Sequence, residues 1–120
     1  MEKKTLVIGA SLKAERYSNK AIKKLRENNI PVVAIGLKKG SVLDVNIDTT
    51  EVAYKNIDTV TLYLNPKRQK AYYNFIVNLK PKRVIFNPGT ENLDFVNILQ
   101  AHDIKAEVAC TLVLLATKQY

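Results

Sequence analysis

Thr5-Leu6-Val7-Ile8-Gly9-Ala10-Ser11 is the stretch on which the fold turns. Its apolar residues run without alternation, the mark of a strand buried on both faces, as in a parallel sheet. Gly9 ends the run, and helical spacing begins near Ser18. A strand that feeds a short loop and then a helix turns the helix's unpaired N–H groups toward an anion. The opening βα unit therefore points to a phosphate-bearing ligand.

Working outward, three further runs have the same character: Pro31–Leu37, Thr59–Leu64 and Arg83–Phe86. Between them lie segments with apolar residues at helical intervals. In Ser18–Asn29, Ala21, Ile22 and Leu25 form a narrow stripe opposite Lys20, Lys23, Lys24 and Arg26, and Asn28-Asn29 ends the helix. Pro66–Leu79 reads as one helix opened by proline, with Ala71, Tyr72, Phe75, Ile76 and Leu79 inward. Glu91–His102 is a third helix, with Thr90 the expected N-cap and Leu93, Phe95, Val96, Ile98 and Leu99 inward. A short strand near Lys105–Val108 and a final helix over Thr111–Thr117 complete the pattern. Lys39–Asn56 is the least legible part: Val42, Leu43, Val45 and Ile47 suit one small extra strand, and Thr50–Asn56 a helical turn or a strand.

Alternating strands and helices on short connections imply an α/β chain. The expected fold is a three-layer Rossmann-like domain with a mainly parallel sheet of five to six strands. At 120 residues, the whole chain, 1–120, is expected to form one domain. No apolar run approaches the roughly 20 residues of a membrane span. The Met1-Glu2-Lys3-Lys4 start is too acidic and its apolar stretch too short for a secretory leader. The single cysteine, Cys110, suits a reducing compartment, so a cytoplasmic location is expected.

The formal charge of +8 calls for an anionic partner. Its lysines and arginines are scattered over helix faces and loop rims, and no nucleic-acid motif or aromatic stacking platform accompanies them, which disfavours nucleic acid. In a sheet of this kind ligands bind beyond the carboxyl ends of the strands. Four segments are expected there: Gly9–Ser18, Gly36–Gly40, Leu64–Lys67 and Asn87–Glu91. The dinucleotide pattern G-x-G-x-x-G is broken, because Ser11 and Ala14 stand at its second and third glycines. An acid to hold a ribose 2′-hydroxyl is missing after the second strand, where Lys38 and Lys39 stand instead. This argues against NAD and leaves NADP or a 3′-phosphorylated adenosine open.

Val7-Ile8-Gly9-Ala10-Ser11, Glu15-Arg16-Tyr17-Ser18-Asn19, Asn65-Pro66, Phe86-Asn87-Pro88-Gly89-Thr90-Glu91 and Ala109-Cys110 follow one another in this order. The series resembles the small stand-alone CoA-binding proteins, Rossmann-like relatives of the CoA-binding domain of the succinyl-CoA synthetase α-subunit. The resemblance spans nearly the whole chain. It departs from the common family pattern at Ile35-Gly36-Leu37 (often Val-Asn-Pro) and at Ala109 (often Arg). The resemblance implies that coenzyme A, free or as an acyl-CoA, is cradled by these loops. Gly9, Ala10 and Ser11 would sit near its phosphates, with Arg16 and Ser18 as partners and Tyr17 in the same loop. Ile35, Gly36, Leu37 and Lys38, with Leu64, Asn65 and Pro66, would line the adenosine side, and Asn87, Pro88, Gly89 and Thr90 the inner end.

No catalytic or metal-binding set emerges. His102 falls at a helix end, away from the expected crevice, and Asp44, Asp48, Asp58 and Asp103 show no paired spacing. Cys110 reads as a small buried hydrophobe at the start of the last helix. Tyr72, Tyr73 and the C-terminal segment are candidate surfaces for a homodimer. The reading is thus a non-catalytic carrier, sensor or accessory protein. An NADP-binding reductase-like protein, or an interaction protein with a vestigial nucleotide pocket, are the alternatives.

Overall fold

A computed structural model describes residues 3–120; Met1 and Glu2, on which part of the leader reading rests, lie outside it. Among the described residues seven strands form one sheet in the order β3-β4-β2-β1-β5-β6-β7. They are β1 (Thr5–Ala10), β2 (Val32–Gly36), β3 (Gly40–Val42), β4 (Val45–Asp48), β5 (Thr59–Leu62), β6 (Arg83–Phe86) and β7 (Lys105–Val108). Every pairing is parallel except β3–β4.

The expected count of five to six strands is corrected to seven. The segment read as one small strand is a hairpin, β3 and β4, turning at Leu43-Asp44 with Leu43 at φ 53°. Its two strands are only three and four residues long, too short for periodicity to resolve. Residues Glu51–Tyr54 adopt neither helix nor strand.

Helices cover both faces of the sheet. On one face Leu6, Ile8, Ile35, Val60, Leu62, Val84 and Phe86 meet Ile76 of α3 (Tyr73–Leu79) and Phe95 and Leu99 of α4 (Leu93–Ala101). On the other, Val7, Ala10, Ala34 and Ile47 meet Ile22 and Leu25 of α1 (Tyr17–Glu27) and Leu115 of α5 (Thr111–Ala116). Alternate residues of β1 thus serve opposite cores, which is why its sequence shows no polar face. Asn28 caps the end of α1 and Asn29 takes a left-handed φ of 60°, as the Asn pair predicts.

The expected Pro66–Leu79 helix is broken into α2 (Pro66–Gln69), a 3-10 turn (Lys70–Tyr72) and α3. Its inward stripe is correspondingly incomplete: Ile76 is buried, whereas Ala71 is exposed. The N-cap of α4 is Asn92 rather than Thr90: its Oδ1 accepts from the Phe95 amide at 3.2 Å. Leu93, expected inward, precedes the buried stripe and stays exposed.

Candidate functional site

The chain leaves β1 toward β2 on one side and returns through β5 toward β6 on the other, so the carboxyl ends of β1 and β5 form a topological switch point. A cleft of about 660 Å³ opens there. Its size falls within the ~300–1,000 Å³ usual for small-molecule sites.

Gly9 makes the floor of the cleft. The β1–β2 register slips between Ile8 and Ala10, and Gly9 takes a φ of +94° at that bulge. A Cβ here would lie 2.9 Å from the backbone C and O of Tyr63, at the end of β5, so the two strands meet closely only through glycine. Ala10, Ser11, Leu12 and Lys13 continue along the wall.

The loop then reaches α1. Arg16, the extended N-cap residue, makes no side-chain cap, and no acid occupies the first turn, so the opening amides of α1 are left for an outside acceptor. Arg16, Tyr17 and Ser18 all line the cleft. Asn19, in the same turn, is buried; its Nδ2 donates to the Ser11 carbonyl at 2.9 Å, fastening the loop to the helix, while its Oδ1 has no partner.

The β2 end brings Ile35, Gly36, Leu37 and Lys38, and the β5 end Tyr63, Leu64, Asn65, Arg68 and Tyr72. Asn65 also caps α2, its Oδ1 accepting from the Arg68 amide at 2.9 Å. Pro88, Gly89 and Thr90 close the far side. Two of the residues expected here do not line the cleft. Pro66 occupies the first position of α2. Asn87 is buried and holds strands together: its Nδ2 donates to Thr61 Oγ1 at 2.6 Å and to the Leu62 carbonyl at 2.9 Å, and its Oδ1 accepts from the Thr111 amide at 2.9 Å. Lys39 is likewise absent from the lining, although Lys38 is present.

Leu12 and Lys13 line the site from within the expected Gly9–Ser18 segment, whereas Tyr63, Arg68 and Tyr72 join it from outside the expected segments. Arg68 and Tyr72 stand four apart after Pro66, a spacing that places both on one helix face and was the available signal. The lining therefore carries four cations, Lys13, Arg16, Lys38 and Arg68, and contains no Asp, Glu, His or Cys among the described residues. Burial pushes the Tyr63 phenol up to about 12, so it stays neutral; its hydroxyl lies near Thr61 and Thr111 without bonding either.

The charge is not evenly distributed. The Gly89 amide already donates to Glu91 Oε1 at 2.8 Å, the Thr90 amide and hydroxyl both donate to the Asn87 carbonyl, and Pro88 has no N–H. The β6 rim thus presents no free amide, and the anion-seeking groups sit at the α1, β2 and α2 ends.

A sequence model of the CoA binding domain matches residues 3–116. The chain belongs to this CoA-binding family. No curated protein matches it. An uncharacterized protein of known crystal structure is similar over 100% of this chain and 99% of its own, at 42% identity and a TM-score of 0.97. A hypothetical protein from Pyrococcus horikoshii OT3 shares 23% identity over 98% of this chain and 84% of its own, with a TM-score of 0.86. A Thermus thermophilus protein shares 16% over 99% and 91%, with a TM-score of 0.87. The last two establish the fold alone, an α/β Rossmann-like sheet.

The other candidate groups lie elsewhere. His102 is the exposed C-cap of α4. Cys110, expected to be buried, is half-buried at the N-cap of α5. Tyr73 stacks on Phe95 with ring centroids 4.3 Å apart, and Tyr72 meets Phe75 edge-on, so both tyrosines are engaged within the chain. No helix among the described residues is long and apolar enough to cross a membrane.

Proposed function

We propose that the chain binds coenzyme A, free or acylated, in the cleft at the β1–β5 switch point, as a carrier, sensor or accessory protein without chemistry of its own. One observation carries the reading: uncapped α1 amides and four cations converge on one cleft whose lining has no carboxylate. A ligand suited to that surface bears several phosphates, which a 3′-phosphorylated adenosine diphosphate group supplies. Lys38 at the β2 rim is the partner assigned to the 3′-phosphate. The Pro88–Thr90 rim, with its amides already satisfied, suits a neutral arm. Support for a non-catalytic role comes from the lining itself, which offers no nucleophile–base pair.

Isothermal titration with coenzyme A, its dephospho form and NADP tests the proposal. Coenzyme A is expected to bind best and the dephospho form about tenfold more weakly, the loss of one charge-assisted phosphate contact. Equal affinity for the two forms refutes the role given to Lys38. Preference for NADP refutes the choice of ligand.

A further inference from the structure

Gln69 is fully buried, lines no part of the cleft, and is nevertheless bonded to both of its far rims. Its Nε2 donates to the Leu64 carbonyl at 2.8 Å and to the Thr90 carbonyl at 2.8 Å. Leu64 follows β5 and Thr90 follows β6, and both residues line the cleft. Only an amide nitrogen can meet two carbonyls at once, so the orientation of the side chain is fixed. Its Oε1 accepts from Asn92 Nδ2 at 2.9 Å, and the same nitrogen reaches the Tyr73 hydroxyl at 2.8 Å. Asn92 in turn caps α4 through Oδ1. Four elements are thus joined: the β5 loop, the β6 loop, the broken α2–α3 segment and the start of α4.

Purely structural burial favours an apolar residue here, since a buried amide must satisfy every polar atom to break even. Two of the three Gln69 bonds reach residues that line the cleft, Leu64 and Thr90, and none reaches the α1 or β2 end. We propose that Gln69 and Asn92 are positioning residues that hold the Pro88–Thr90 rim in place against the β5 loop, and so govern affinity for the ligand's neutral arm rather than for its phosphates. This rests on the coenzyme A reading above and adds what selects the non-nucleotide half of the ligand.

Two variants and two probes test it by isothermal titration. Gln69→Met keeps the volume and removes both donors. Asn92→Asp keeps an N-cap as good as the original, removes the two donors toward Gln69 and Tyr73 and sets a carboxylate against Gln69 Oε1, so it tests the network even if Gln69→Met does not fold. The probes are coenzyme A and adenosine 3′,5′-bisphosphate, which shares the 3′-phosphorylated nucleotide and lacks the arm. Both variants are expected to weaken coenzyme A about tenfold and to leave the bisphosphate within about twofold. An equal loss for both probes shows a general structural role and overturns the proposal, as does unchanged coenzyme A affinity in Asn92→Asp. Failure of the unsubstituted protein to bind either probe overturns the coenzyme A reading itself.

Discussion

Two glycines in the cleft share a backbone conformation and differ in their surroundings, which permits strain and crowding to be separated. Gly9 has φ +94° and Gly89 φ +91°. A Cβ on Gly89 would meet nothing within 4 Å, whereas one on Gly9 would press on the Tyr63 backbone at 2.9 Å and on Leu64 Cδ2 at 3.2 Å. Gly89→Ala should therefore cost conformational strain alone, about 1–2 kcal/mol. Gly9→Ala carries the same strain plus the displacement of a strand end that cannot rotate away, a further ~1–3 kcal/mol. At about 4 °C per kcal/mol for a chain of this size, Tm should fall roughly 4–8 °C for Gly89→Ala and roughly 8–20 °C for Gly9→Ala. Urea unfolding at 25 °C, with matched m-values, gives the two costs directly. Equal losses for the pair would refute the claim that β1 and β5 need glycine for their close approach.

Lys38→Ala should weaken coenzyme A about tenfold and leave its dephospho form unchanged by titration calorimetry, since only the former carries the phosphate assigned to that side chain. Coenzyme A affinity should also fall as salt is raised from low to physiological strength, because Arg16, Lys38 and Arg68 are exposed; salt-independent binding contradicts an electrostatic cleft. Tyr63→Phe should leave stability within about 1 kcal/mol, or raise it slightly, because the hydroxyl has no partner to lose. Burial raises the phenol of Tyr63 to about 12 from its ordinary value of 10.0, so its contribution is intact below pH 10 and is lost as pH climbs toward 12. Thermal melts across that range should fall for the parent and fall less for Tyr63→Phe.

The strands were legible where burial on both faces left a run of apolar residues: Arg83–Phe86 has the same bounds in sequence and structure, and Thr5–Ile8 is short only by the bulge at Gly9 and Ala10. The hairpin was not, because three and four residues cannot display a period. Breakage of the Pro66–Leu79 helix was hidden for a different reason. Its local sequence favours a continuous helix, and the buried Gln69, tied to the Leu64 carbonyl nearby and to the distant Thr90 carbonyl, belongs to tertiary context. In the cleft, the chain order of loops placed Gly9 through Ser18 and Ile35 through Lys38 together, as strand ends must be in a parallel sheet. The bonds of Asn87 to β5 and to the start of α5 were not legible, because a polar residue at a strand end looks the same in sequence whether it faces a ligand or its own chain. Arg68 and Tyr72 were not legible as cleft residues because the apolar stripe of Pro66–Leu79 points that segment, Tyr72 included, at the core.

The hairpin that the sequence hid also steadies the mouth of the cleft. Leu12 is the apolar foot of the loop that follows β1, and it rests on Gly40 so closely that a methyl group there would come within 2.6 Å of its side chain. This ribbon at the sheet edge, anchored in one core through Val42, Val45 and Ile47, thereby acts as a doorstop for the loop after β1. Changes in bulk at its exposed Gly40 and Ser41 would retune the entrance while the buried residues of the ribbon stay as they are, which gives this architecture a place to vary its appetite for ligands.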